Sequence, residues 1–168
     1  IERLSQKLMQ LIVLKQGGVL ERKEEPVSAL LEDVASAAGE QLRQRGLTLH
    51  IVNEIDTLVL ERDLMISLLL NLIDNAGKAS RPGDTIELRA SGNVISVTDH
   101  GVGMPKEELD KITQPFYMID RSRAKRAGGI GLGLALAEEI ARLHGAHLTF
   151  ESKCGAGTTA KVVFDNAS

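Results

Sequence analysis

The chain has 168 residues, 43% hydrophobic and 26% charged, the balance of an ordinary globular domain large enough to bury a sizeable core. A net charge of −3, with three Phe, one Tyr and no Trp, argues against a general nucleic-acid binder, which needs a basic field and surfaces for stacking bases. The single cysteine, Cys154, excludes an internal disulfide and a Cys-based zinc site. No apolar run approaches the ~18 residues of a membrane span. The chain opens at Ile1 rather than Met, so a fragment of a longer protein is expected.

Ile1, Leu4, Leu8 and Leu11 recur at three and four, a short heptad-like seam that Gly17-Gly18 should end. Glu21 to Glu25 reads as a charged, solvated linker. Val27, Leu30, Leu31, Val34 and Ala38 form a helical stripe that stops near Gly46. Leu47 to Asn53 and Leu58 to Leu60 read as strands around a Glu-Ile-Asp-Thr turn. From Glu61, Leu64, Leu68, Leu72 and Ala76 fall at helical spacing, as do Met65, Leu69 and Ile73. That is a helix buried over most of its circumference. Arg81-Pro-Gly-Asp is a turn, and Thr85 to Ala90 is a strand. Ser91-Gly-Asn93 turns into a second strand, Val94 to Thr98. A helix follows the glycines at 128 to 133 and runs through His144. Leu148 to Ser152 and Thr158 to Phe164 make a final hairpin. About three helices on a mixed sheet are expected, a two-layer α/β sandwich.

Three stretches stand out chemically. On the buried helix, Asn71, Asn75 and Lys78 share one face. Two amide oxygens suit a hard cation such as Mg²⁺, and an ammonium suits a phosphate. Two Asn that bond local backbone would show the same spacing. At the end of the second strand, Asp99-His-Gly-Val-Gly places a carboxylate before Gly101 and Gly103. Such a carboxylate can accept from an exocyclic amine, as on adenine. An Asp-led turn is the plain alternative. Finally, Gly128, Gly129, Gly131 and Gly133 open a helix, where bare N–H groups and the dipole favour phosphate. A dinucleotide fold would need a strand immediately before them, and the lead-in Arg121-Ser-Arg-Ala-Lys-Arg-Ala127 is not one. None of the four histidines has acidic or thiol neighbours at metal spacing.

In this order and spacing, the three stretches resemble the N, G1 and G2 boxes of the ATP-binding domain of sensor histidine kinases, a branch of the GHKL ATPase superfamily. Phe116, in Gln-Pro-Phe-Tyr, is similar to the F box, and Gly155-Ala-Gly-Thr-Thr to the family's closing Gly-Thr-Thr. The resemblance covers residues 27 to 164. It implies a Bergerat-type ATP-binding fold over 21–168. Residues 1–20 would be the end of a dimerising hairpin plus a linker. It also implies ATP and Mg²⁺ as cofactors. Asp99, with Gly101 and Gly103, would take adenine. Asn71 and Asn75 would hold the metal. Lys78, Arg121, Gly129, Gly131, Leu132 and Gly133 would meet the phosphates. Tyr117 and Thr159 would line the site, and residues 113–127 would form a lid.

The acceptor histidine of the family is followed by Glu or Asp and then Leu-Arg-Thr-Pro. None of the four histidines here matches, so no catalytic acceptor is expected within the chain. The partners implied are the phosphoacceptor domain of the parent chain, a response regulator and a second copy of the parent. The parent is expected to be membrane-anchored, with this domain cytoplasmic. An ATP-driven clamp and an anti-sigma serine kinase share the fold and stand as alternatives. The hairpin-like helix at 1–17 favours the sensor kinase.

Overall fold

The computed structural model describes residues 2–17, 20–115, 117 and 132–165. The first half contains α1 (Glu2–Lys15), β1 (Lys23–Pro26), α2 (Val27–Gln44), β2 (Thr48–Asn53), β3 (Thr57–Leu60) and α3 (Arg62–Ala79). The second contains β4 (Thr85–Ser91), β5 (Val94–Asp99), a 3-10 turn at Lys106–Glu108, α4 (Gly133–Leu143), β6 (His147–Lys153) and β7 (Gly157–Val163).

Five strands form a mixed sheet in the order β2-β4-β5-β7-β6. Only β2 and β4 run parallel, because α3 lies between them in the chain and supplies the crossover that parallel strands need. The remaining pairs are antiparallel. Side chains alternate along each strand. Ile86, Leu88 and Ala90 of β4, Ile95 and Val97 of β5, and Ala160 and Val162 of β7 all turn inward and are buried. They meet Leu30, Leu31 and Val34 of α2, Met65, Leu68, Leu69 and Leu72 of α3, and Ala137 and Ile140 of α4 in one core. The α/β sandwich expected from the periodicity is the fold observed.

The central helix α3 is held at both ends. The Glu61 carboxylate accepts from the Leu64 N–H at 2.7 Å, an N-terminal cap for otherwise orphan donors. At the other end the Ser80 hydroxyl donates to the Ala76 carbonyl at 2.7 Å, and Ser80 itself is extended. His144, 6% exposed, ties α3 to α4. Its Nε2 accepts from the Glu61 N–H at 3.0 Å, and its Nδ1 lies 2.8 Å from the Ile140 carbonyl. Those partners require a neutral ring with the proton on Nδ1. Burial likewise holds its pKa below the ordinary histidine value.

One expectation is corrected. Glu21 to Glu25 is not wholly linker, because Lys23–Pro26 pairs with β3 as a separate antiparallel ribbon. The pairing rests on backbone bonds, so the charged side chains of Glu24 and Lys23 stay outside. For the same reason β3 leaves β2 and joins β1 instead. Further, α1 packs on the domain. Leu11, 5% exposed, is enclosed with Leu132, Ala135 and Leu136 at the start of α4, flanked by Leu8 and Leu14. Met9, Ile12 and Val13 on another side of α1 stay exposed.

Candidate nucleotide site

Asp99 is the third inward position of β5, after Ile95 and Val97. The period of two drives a carboxylate into the edge of the core, where it is 5% exposed. Burial pushes its pKa above the ordinary carboxylate value, opposed by two backbone donors. Both donors meet one oxygen. The Gly101 N–H donates to Oδ1 at 2.9 Å and the Thr158 N–H at 3.3 Å. The carboxyl group is thereby oriented with Oδ2 turned away from those two donors.

The rung that carries Asp99 continues across the sheet. Asp99 pairs with Thr158, and Thr158 with Ser152. The Ser152 hydroxyl accepts from the Met104 N–H at 2.8 Å and lies 2.7 Å from the Thr158 hydroxyl. A polar row thus closes one end of an apolar core. Each member has a hydrogen-bond partner, as buried polar groups need.

The glycines of this region make room for backbone. A Cβ on Gly101 would lie 2.0 Å from the Ala79 carbonyl oxygen at the end of α3, where the Val102 N–H also donates at 3.2 Å. Gly103 has φ +68, and a Cβ there would lie 2.0 Å from the Lys153 carbonyl oxygen. The loop after Asp99 is thus sewn to the last turn of α3 on one side and to the β6–β7 turn on the other. That arrangement brings the carboxylate and the asparagine face of α3 to one edge.

On α3, Asn71 is buried and Asn75 is exposed. Asn71 Oδ1 accepts from the Lys7 ammonium at 3.4 Å, and a Cβ on Gly133 would lie 3.2 Å from the same oxygen. The first turn of α4 therefore abuts Asn71, joining two of the three motifs. Lys78 is turned toward Asp74, with Nζ 3.0 Å from its carboxylate. Asp74 also accepts from Gln41 at 2.9 Å. The Lys78 and Asp74 side chains are only 20% and 23% exposed. The ammonium retains some exposure and could exchange Asp74 for an incoming phosphate. A groove of about 360 Å³ runs along α3 and includes Asn71, lined also by Lys7, Gln41, Ser67, Asp74 and Leu136 among others. Neither Asn75, Lys78 nor Asp99 lines it.

The other expected residues make the following contacts. Thr159 lies one position off the inward register of β7. Its hydroxyl sits 3.1 Å from that of Thr98, on the sheet face opposite the helices, so Thr158 is the threonine against Asp99. The period of two, counted back from Val162 and Ala160, distinguishes them. The Leu132 side chain is fully buried beneath Leu11 and Leu136. It is a packing residue at the head of α4, and only its backbone remains for a ligand. The Tyr117 hydroxyl donates to the Glu108 carboxylate, which ties it to the 3-10 turn. Phe116, Arg121, Gly129 and Gly131 lie outside the described residues, as does most of the expected lid. Lys7 and Ser152 carried no local signal, since both act through partners distant in sequence.

Among the described residues no helix is long and apolar enough to cross a membrane. The family described as histidine kinase-, DNA gyrase B- and HSP90-like ATPase matches residues 60–168. The signal transduction histidine-protein kinase ArlS of Staphylococcus haemolyticus is 40% identical over 119 residues, 68% of this chain and 26% of that one. ArlS of Staphylococcus aureus strain USA300 is 31% identical over 176 residues, 98% of this chain and 38% of that one. The chain thus spans between 26% and 38% of the length of these relatives. Among solved structures, full-length ShkA in complex with AMPPNP superposes with a TM-score of 0.80 at 21% identity, over 93% of this chain and 34% of that one. The Acinetobacter baumannii histidine kinase AdeS superposes at 0.75 and 22% identity, over 98% and 79%. These two share the fold. The chain belongs to the histidine kinase-, DNA gyrase B- and HSP90-like ATPase family, on its histidine-kinase branch.

Proposed function

We propose that this domain binds Mg-ATP and presents the γ-phosphoryl group to a histidine on the dimerising helices of its parent sensor kinase. The observation that carries the reading is Asp99. It is a buried carboxylate whose Oδ1 is taken by two backbone donors, which leaves Oδ2 for the exocyclic amine of adenine. Thr158, and not Thr159, is the threonine that steadies it.

Asn71 and Asn75 are the metal-side amides. Asn71 Oδ1 already holds a cationic group, the Lys7 ammonium, which supports its fitness for a cation. Two amide oxygens also suit Mg²⁺, which keeps several waters and binds jointly with phosphates. When bound, the metal neutralises phosphate charge. Lys78 swings from Asp74 to the phosphates, joined by Arg121 and the backbone of residues 129–133. Gly133 faces Asn71, so the head of α4 and the metal-side amide act on the same end of the nucleotide. The chain's own work is positioning and charge neutralisation, the main terms in phosphoryl transfer.

The partners proposed are the phosphoacceptor helices of the parent, a response regulator and a second parent copy. The parent is membrane-anchored and holds this domain in the cytoplasm. Incubation with γ-labelled ATP should leave no acid-labile label on this chain. Adding a separate polypeptide that carries the acceptor hairpin should yield label on that polypeptide. Label on any of the four histidines here would contradict the reading.

A further inference from the structure

We propose that α1 is a built-in competitor of the metal. Docked on α4, it places the Lys7 ammonium on Asn71 Oδ1 and keeps a divalent cation off that oxygen. The inference rests on reading Asn71 as a metal-side amide.

Two separate contacts give the placement. The first is the hydrogen bond, Lys7 Nζ to Asn71 Oδ1 at 3.4 Å. The second is the apolar seat one turn further along α1, where Leu11 is enclosed by Leu132, Ala135 and Leu136, with Leu8 and Leu14 beside it. Residues four apart on a helix share a face, so seating Leu11 on α4 brings Lys7 to Asn71. Gly133 fixes the register from the other side, since its Cβ position is 3.2 Å from the same oxygen. Docking of α1 and occupation of Asn71 by an ammonium are therefore one event.

A magnesium ion bound to Oδ1 would sit about 2.1 Å from it, only a few ångströms from the ammonium. The repulsion between a double and a single positive charge at that range opposes joint occupancy. Binding of the metal must drive Lys7 off, and α1 loses that contact with Asn71. The bond is long, so the competition is weak enough for Mg-ATP to win. The exposed Met9, Ile12 and Val13 give α1 a second apolar face, so the undocked helix has another packing option.

The test uses the 168-residue chain and two variants. Lys7→Met keeps the length and packing of the side chain but removes its charge. Leu11→Asp removes the seat and leaves Lys7 intact. ATP affinity is measured by calorimetry as Mg²⁺ is titrated. Both variants should reach half-maximal Mg²⁺-dependent binding at about 3- to 10-fold lower Mg²⁺, the range of a single modest hydrogen bond. Affinity for Mg-free ATP should not rise. As a second readout, amide exchange across residues 2–15 of the wild-type chain should quicken on adding Mg-ATP and stay unchanged with Mg-free ATP. If Lys7→Met weakens ATP with and without metal, Lys7 is a phosphate ligand and the competition is wrong. An unchanged Mg²⁺ requirement in both variants also overturns it. Absence of any ATP binding by the wild-type chain would instead remove the nucleotide reading itself, and this inference with it.

Discussion

Replacing Asp99 by Asn separates a ligand role from a structural one. The amide keeps an Oδ1 that can still accept from the Gly101 and Thr158 N–H groups, at 2.9 and 3.3 Å in the wild type. At Oδ2 it puts a donor where the adenine amine needs an acceptor. A hydrogen bond to a charged group is worth about 1.5–3 kcal/mol. At 1.4 kcal/mol per decade, ATP should bind about 10- to 150-fold more weakly. The two facing donors push the loss toward the upper end. Stability should move little, because burial already raises the Asp99 pKa. The sign follows from linkage. A raised folded-state pKa means that the group's favourable contribution is complete below its unfolded value, about 3.9. It is lost as pH rises through the folded value. At neutral pH the neutral amide therefore removes a disfavoured charge. The melting temperature should change by no more than about 3 °C, roughly 1 kcal/mol for a chain of this size. Guanine presents a carbonyl at this point, so the ATP-over-GTP preference should also shrink in the variant. Calorimetry with both nucleotides, together with a thermal melt, gives the answer. ATP affinity within twofold of wild type would refute the adenine assignment.

Other outcomes follow from the same geometry. Asn75→Ala, at an exposed position, should weaken Mg-ATP about tenfold and leave Mg-free ATP nearly unchanged in calorimetry; equal losses would make the amide structural. His144 has a depressed pKa in the folded state, so its contribution is complete above about pH 6.5 and fades as pH falls toward the folded value. Urea unfolding should show stability decline across that window, and His144→Gln, which does not titrate, should flatten the decline. Gly101→Ala drives a Cβ to within 2.0 Å of the Ala79 carbonyl oxygen and should cost about 1–3 kcal/mol as overpacking, with loss of ATP binding. Gly92→Ala meets nothing within 4 Å but holds φ +62, so it should cost about 1–2 kcal/mol of left-handed strain in the same denaturation assay and leave ATP binding unchanged.

Much of this was legible because it is local. The apolar period of α3, the alternation in β4 and β5 and the spacing of Asn71, Asn75 and Lys78 are properties of short windows. What escaped was set by partners far along the chain. The strand β1 has no apolar alternation and exists because β3 offers it backbone groups. The room provided by Gly101 and Gly103 is for Ala79 and Lys153, which no local pattern reveals. Leu132 reads as part of a glycine-rich phosphate loop, yet its side chain is covered by Leu11 from the other end of the chain. Thr158 against Thr159 is a one-residue register choice, decided by the inward row of Ala160 and Val162.

The central claim is that the edge joining α3, the Asp99 loop and the head of α4 is a Mg-adenine-nucleotide site. Calorimetric titration of the wild-type chain with ATP, in saturating Mg²⁺ and again with the metal chelated, tests it most directly. The account predicts binding of one ATP per chain, tighter with Mg²⁺ than without, and much weaker binding of GTP. Absence of ATP binding at saturating Mg²⁺, or equal affinity for ATP and GTP, would contradict it.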